Sequence, residues 1–337
     1  MNVTDFLASE NLICLPTKSR PRVFLSIDDS KIAKVAFNLY NPFSPKAKFL
    51  KATLQFLCVY CNTLAKYFLP TIKTKKSSFI RFIEKALNTS LISSVYIATE
   101  KDKFVVQLQD HNGIVGYLKY PITSIGTKRL LNERSGLNIL SKKNVVQKIL
   151  LDDNYKGVPF IILRNLEGKI GTVSKDDYKE VLTYFKTERS FPLIDHPRVL
   201  DIKKRLLDYD QNEFVVLLND AIVSSKKYYY VVHEHGDFAP WNLIQTKDGV
   251  KPFDFEYFEE VGLQHMDEIK YHVQVEMLLK GKTGASLIKS VSKAVGLAEF
   301  DILFIVFLLK EIGNKLEANK IYDFELSLLK SMKIEKT

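Results

Sequence analysis

At 337 residues and 46% hydrophobic content, the chain is long enough for two lobes or two to three small domains around a real core. A net charge of +10 favours anionic partners, whether nucleotide, nucleic acid or an anionic membrane surface, but the lysines are dispersed and choose among none of these. No run approaches the roughly eighteen apolar residues that span a bilayer: Ile302 to Leu309 is only eight, and Asp5 and Glu10 stand where a signal peptide would be apolar, so the chain is expected in the cytoplasm without a transmembrane segment.

Residues 1–90 read as a helical N-terminal extension. Asp29 to Tyr40 and Lys46 to Phe68 have helix-like apolar spacing, broken by the Pro-rich segment 41–45 and ended by Pro70. In the second stretch Leu50, Leu54, Leu57, Cys61, Leu64 and Phe68 recur at steps of four and three, which predicts an ordinary core face packed on the lobe that follows. The other reading is a helix for a membrane surface or a partner, so peripheral membrane contact stays open. Cys14, Cys58 and Cys61 are too few for a disulfide framework, and a single Cys-x-x-Cys with no second pair is poor evidence for zinc.

From about residue 92 the period changes to two. Ser94 to Thr99, Phe104 to Gln109 and Ile114 to Tyr120 read as a three-stranded antiparallel meander, with turns at Glu100 to Lys103 and at His111-Asn-Gly113. A helix is expected over 127–140, then strands over 145–151 and 158–163. Residues 91–165 thus form a small lobe of five antiparallel strands and one helix. Within that helix Leu130, Glu133, Leu137 and Leu140 fall on one stripe, so a carboxylate points inward and needs a partner, for which Lys119 is the natural candidate. Residues 166–337 are mostly helical, with helices near 176–187, 197–208, 212–226, 266–280, 284–296, 299–317 and 322–332, and with strands confined to about 229–256.

That exception holds the chemistry. His235-Gly236-Asp237 is followed five residues later by Asn242 and, after strands over 243–246 and 250–253 closed by an Asp-Gly turn, by Asp254-Phe255-Glu256. Phosphoryl transfer needs a positioned hydroxyl, a held cation and neutralised charge rather than covalent chemistry. In that scheme Asp237 orients and deprotonates the acceptor hydroxyl, while Asn242 and Asp254 bring oxygens to Mg²⁺ from two sides.

His-Gly-Asp-x-x-x-x-Asn followed by Asp-Phe-Glu resembles the catalytic loop and metal-binding aspartate of the protein-kinase-like superfamily. It is similar to aminoglycoside phosphotransferases and choline or ethanolamine kinases more than to protein kinases, over roughly residues 92–335. The resemblance implies an α+β bilobal kinase-like fold, ATP and Mg²⁺. It also implies that Lys119 binds phosphate, that Glu133 is its ion-pair partner, and that Asp267 braces the catalytic loop. The first hairpin, Ala98 to Phe104, lacks Gly-x-Gly-x-x-Gly, which weighs against a protein kinase. Taken whole, with its N-terminal region, the chain resembles phosphotransferase-like proteins associated with bacterial surface polysaccharide synthesis.

The expected function is therefore ATP-dependent phosphotransfer to a hydroxyl of a small-molecule acceptor: a sugar, amino sugar, amino alcohol or surface-glycan precursor. The alternative is a nucleotide-binding pseudokinase or scaffold in polysaccharide assembly. Nucleic acid is not expected as a partner, because no module combining basic and aromatic residues is present. His235 reads as a hydrogen-bonding support of the loop rather than a proton carrier, and Pro240 and Trp241 as residues that shape it.

Overall fold

The computed structural model describes residues 1–337 except Lys18, 41–44, 99–101, Thr172 and 335–337. Part of the break expected at 41–45, and of the first hairpin's connection, lies outside the described residues. The chain forms two compact units: Met1–Arg134 with Gln147–Leu166, and Ser135–Val146 with Glu167–Thr337.

The first unit is built on one sheet. Its elements are β1 (Leu12–Leu15), β2 (Val23–Ser26), α1 (Ser30–Ala36), α2 (Pro45–Tyr60), α3 (Asn62–Phe68), β3 (Thr71–Ile72), α4 (Ser78–Leu87), β4 (Ile92–Ile97), β5 (Lys103–Asp110), β6 (Gly113–Pro121), the first part of α5 (Ser124–Ser141), which from Ser135 belongs to the second unit, β7 (Ile149–Tyr155) and β8 (Val158–Arg164). Strand order among the described residues is β3-β1-β2-β4-β5-β6-β8-β7, with every pairing antiparallel.

This corrects the expected fold class at two points. The sheet has eight strands rather than five, and residues 1–90 are not a helical extension, because they supply β1, β2 and β3 to that same sheet. The added strands are short, and β2 joins β4 through Val23 opposite Tyr96 and Phe24 opposite Val95. Four-residue apolar runs such as Leu12–Leu15 carry too little periodicity to be told from a helical turn.

Alternation then fills both faces. Leu12, Cys14 and Phe24 join Phe6, Phe79, Ile83, Val106 and Leu118 in one core, while Ile13, Val23 and Leu25 join Ala33, Phe37, Cys58 and Ala65 in another. The strand expected at 145–151 begins later, at Ile149, and runs to Tyr155, where Lys156 and Gly157 at φ 51° and 79° make a two-residue hairpin turn.

The helices α2 and α3 meet this unit only partly through the face expected, with Leu54 and Leu57 packed against its core. Cys58 and Ala65 are fully buried, whereas Leu50, Leu64 and Phe68 are 59%, 53% and 73% exposed. The small Cys58 and Ala65 take the most buried positions, Leu54, Leu57 and Val59 pack partly buried beside them, and Leu50, Leu64 and Phe68 are turned out. Burial pushes the Cys58 thiol up to about 11, which leaves it inert as a nucleophile.

The second unit is mostly helical. It contains β9 (Lys169–Ile170), α6 (Lys175–Tyr184), β10 (Lys186–Pro192), α7 (Pro197–Asp208), α8 (Asn212–Ile222), β11 (Tyr228–Glu234), β12 (Leu243–Thr246), β13 (Gly249–Pro252), β14 (Glu259–Leu263), α9 (Met266–Gln274), α10 (Gly284–Val295), α11 (Phe300–Glu317) and α12 (Asp323–Ile334). A π-helical turn, Val275–Leu279, continues α9.

Helix ends follow local chemistry. α7 starts at Pro197 after a His196 cap that accepts from the Arg198 N–H, and α10 stops at Gly296 with φ 71°. Leu206, Leu218, Met266, Ile269, Leu287, Val291, Phe304, Leu308 and Leu328 form the core of the unit. Two small sheets, β10-β11-β14 and β13-β12-β9, flank the loop from His235 to Asn242.

Candidate active site

In the first unit, Lys119 lies on β6 between Val105 of β5 and Ile161 of β8. Alternation sends Leu118 and Tyr120 into the core with Phe104 and Phe160, which places Lys119 on the other face. There its Nζ donates to Glu133 Oε1 at 2.6 Å. Leu130, Glu133, Leu137 and Leu140 are all buried, with Glu133 only 1% exposed, so the stripe read from spacing is the inward one. A carboxylate this deep is stable only against a cation, and the pair fixes the direction of both side chains. The start of α5 is fixed as well: Arg129 Nη1 donates to Asp102 Oδ2 at 2.7 Å, and a Cβ at Gly126 would stand 2.1 Å from the Asp102 carbonyl oxygen.

In the second unit β11 delivers the chain to His235-Gly236-Asp237. Gly236 has φ 79°, and a Cβ there would lie 2.2 Å from the Tyr257 carbonyl oxygen, so glycine is required twice over. Gly236→Ala should lower unfolding free energy by about 3 kcal/mol in guanidinium titration; a loss below about 1 kcal/mol would mean that the loop yields to the methyl group.

Both ends of the loop are tied down. His235 Nδ1 accepts from the Asp237 N–H at 3.3 Å, so its Nε2 carries the proton and donates to the Phe253 carbonyl at 2.9 Å. The ring is fully buried and lies 4.5 Å from that of Phe255. His235 therefore supports the loop. Asp267, in the first turn of α9, accepts the His235 N–H at 2.7 Å on one oxygen and the Gly236 N–H at 3.0 Å on the other, which is the bracing contact.

Asp237 itself is held by two side-chain amides. Asn242 Nδ2 donates to its Oδ2 at 2.9 Å and to its backbone carbonyl at 2.8 Å, and Gln274 Nε2 donates to its Oδ1 at 2.7 Å. Asn242 ends a 3-10 turn, Pro240–Asn242, and opens β12. The β12–β13 hairpin turns at Lys247-Asp248 and returns Phe253 to Asn242, whose carbonyl accepts the Phe253 N–H at 3.0 Å. The next residue, Asp254, sits at φ 65°, a left-handed conformation that a non-glycine residue adopts at a cost of about 1 kcal/mol or more.

Behind the loop lies a buried ionic layer. Glu234 is ion-paired with Lys310 of α11, and both are almost fully buried. Lys270 pairs with Glu311 at 2.5 Å; burial works against the ammonium, but the Glu311 charge and hydrogen bond, helped by the Asp237 charge, outweigh it and raise its pKa. Burial, reinforced by the Glu234 charge and opposed by Lys310 and the two backbone N–H donors, pushes the Asp267 carboxyl up to about 7.

Of the residues expected from sequence, Asp237 and Asn242 are joined directly, and Asp254 follows the Asn242–Phe253 pairing. Lys119 and Glu133 are joined to each other in the first unit. Gln274, Glu234 and Lys310 were not expected. Gln274 had one sequence signal, its place seven residues after Asp267 on one face of α9.

Among the described residues no group of three or more His, Cys, Asp or Glu is arranged to hold a metal ion. Asn242 and Asp254 carry side-chain oxygens of the kind Mg²⁺ takes, and that ion needs few from a protein when phosphates complete its shell. The Asn242 amide nitrogen is directed at Asp237, which leaves the amide oxygen as the donor atom of that side chain for a cation.

No protein-family model and no curated protein matches the sequence. Among solved structures, similar folds include aminoglycoside phosphotransferases, fructosamine-3-kinases and an ethanolamine kinase, of the protein-kinase-like superfamily. The Plasmodium vivax ethanolamine kinase is 14% identical over 91% of this chain and 94% of its own, with a TM-score of 0.39. An aminoglycoside phosphotransferase of Streptomyces rimosus, in complex with ADP and streptomycin, is 13% identical over 64% of this chain and 92% of its own, with a TM-score of 0.40.

Proposed function

We propose that the chain is an ATP-dependent phosphotransferase that acts on a hydroxyl of a small molecule: a sugar, amino sugar, amino alcohol or surface-glycan precursor. The observation that carries this reading is the double amide grip on Asp237. A carboxylate so oriented keeps lone pairs for the proton of an acceptor hydroxyl and cannot swing away from it. The hydroxyl oxygen bonds to the γ-phosphorus, the bond to the bridging oxygen breaks, ADP leaves, and the proton passes to Asp237.

Lys119, aimed by Glu133, binds nucleotide phosphate, and Asn242 and Asp254 hold Mg²⁺. The cation, when bound, offsets phosphate charge. Asp267 and His235 position the loop through its backbone and take no proton from substrate.

The test is a screen of ADP release against hydroxylated metabolites, with and without Mg²⁺ and with Lys119→Met as control. Acceptor-dependent, Mg²⁺-dependent turnover that falls by about a hundredfold in Lys119→Met supports the reading. Nucleotide binding with no turnover for any acceptor would favour the pseudokinase reading instead. Turnover indifferent to Lys119→Met would remove that lysine from the phosphate site.

A further inference from the structure

The helices α2 and α3 present an apolar face that the first unit does not use. Phe49, Phe56, Tyr60, Leu64, Tyr67 and Phe68 are between 53% and 82% exposed, although smaller residues of the same helices are buried. Phe49, Phe56 and Tyr60 follow at steps of seven and four on one side of α2, and Leu64, Tyr67 and Phe68 fall at steps of three and four on one side of α3. Their rings gather in pairs, Phe56 with Tyr60 at 4.9 Å and Tyr67 with Phe68 at 5.1 Å between centroids. Apolar side chains concentrated this way on a surface mark a contact with something else.

Charge decides what that is. From Ser30 to Ile83 the chain has ten Lys or Arg residues and no Asp or Glu. Lys46 and Lys48, before the aromatic stretch, and Lys73 and Lys75, after it, are exposed. A second copy would set the same cations against each other, since the protein carries +10 overall. An anionic lipid surface satisfies both features: aromatic and leucine side chains enter the boundary between headgroups and acyl chains while lysines on the rim meet lipid phosphates. No helix among the described residues is long and apolar enough to cross a membrane, so the contact is one of lying on the surface.

We propose that α2 and α3 dock this protein onto anionic membrane through Phe49, Phe56, Tyr60, Leu64, Tyr67 and Phe68, with Lys46, Lys48, Lys73 and Lys75 as the electrostatic rim. The inference is independent of the phosphotransferase reading, because none of these residues takes part in that chemistry.

The test is co-sedimentation of the full chain with phosphatidylcholine vesicles, with and without phosphatidylglycerol. The variants are Phe56→Ser with Tyr67→Ser, and Lys46→Glu with Lys48→Glu, each checked for an unchanged thermal midpoint. Binding to the phosphatidylglycerol vesicles should exceed binding to neutral ones and fall with added salt. Each variant should lose about tenfold or more of it. Equal recovery with both vesicle types, or binding unaffected by the aromatic substitutions, would overturn the proposal. So would a concentration-dependent dimer in light scattering, without vesicles, that the aromatic variant abolishes.

Discussion

Asp237→Asn should reduce ATP-dependent phosphotransfer by about 10²- to 10⁴-fold, the usual contribution of a positioned general base. The substitution keeps the shape of the side chain. It also keeps half of the amide grip, since an asparagine oxygen still accepts from either Asn242 or Gln274. The other amide then faces an N–H donor, and rotation of the Gln274 amide about its last torsion restores an acceptor. The fold should therefore persist, with an unchanged far-ultraviolet spectrum and nucleotide affinity within a few-fold of the parent. What is lost is the capacity to take a proton. Steady-state turnover of an acceptor found in the screen reads this directly, and a variant that retained turnover would strip Asp237 of the role of base.

Lys310→Met has the largest effect expected on stability, about 3–5 kcal/mol in denaturant titration, because it strands Glu234 in the interior. Glu234 Oε1 would lose its ammonium, and Oε2 already lacks a hydrogen-bond partner among the described residues. Pairing the change with Glu234→Gln should return part of the loss, since an amide costs less to bury than an unpaired carboxylate.

A dependence on pH follows through Asp267. Its folded pKa, near 7, lies above the unfolded value, so its ionisation withdraws stability as pH rises toward and through 7, and the contribution is fully present only below the unfolded pKa. Lys310 opposes that shift. Without Lys310 the loss should thus be larger at pH 8 than at pH 5, and a loss equal at both pH values would show that the lysine does not act on Asp267.

The parts of this arrangement that a sequence can show are those with local causes. Glu133 interrupts an apolar stripe, and a carboxylate on the inward side of a helix declares its need for a cation through spacing alone. The start of α7 and the turn of the β12–β13 hairpin are set by Pro197 and by Asp248-Gly249, whose conformational preferences act within a few residues.

Three other features have distant causes. Gln274 reaches Asp237 and Lys310 reaches Glu234 across 37 and 76 residues, and no spacing rule spans such gaps. The phase of α2 and α3 differs in part from the expected one for another reason. Leu54 and Leu57 pack against the core as counted, but the deepest positions go to Cys58 and Ala65 while Leu50, Leu64 and Phe68 face out, and counting large apolar residues as inward cannot show that. The strands β1 to β3 are hidden because each is only two to four residues long and acquires its meaning from a partner elsewhere in the chain.

The order of strands in the first unit makes it a poor fragment to excise. Its sheet begins before residue 15 and closes only with β7 and β8, which follow a segment, Ser135–Val146, that belongs to the other unit. A cut after Arg134 would turn β6 into an edge strand, with Gly116 to Lys119 deprived of their ladder to Ile161 through Arg164. A start at residue 91 would do the same to β4, exposing Val95 where Phe24 now covers the ladder. Neither end of this sheet can be trimmed back to the strands that flank Lys119, and the ninety residues that precede them carry part of its hydrogen bonding.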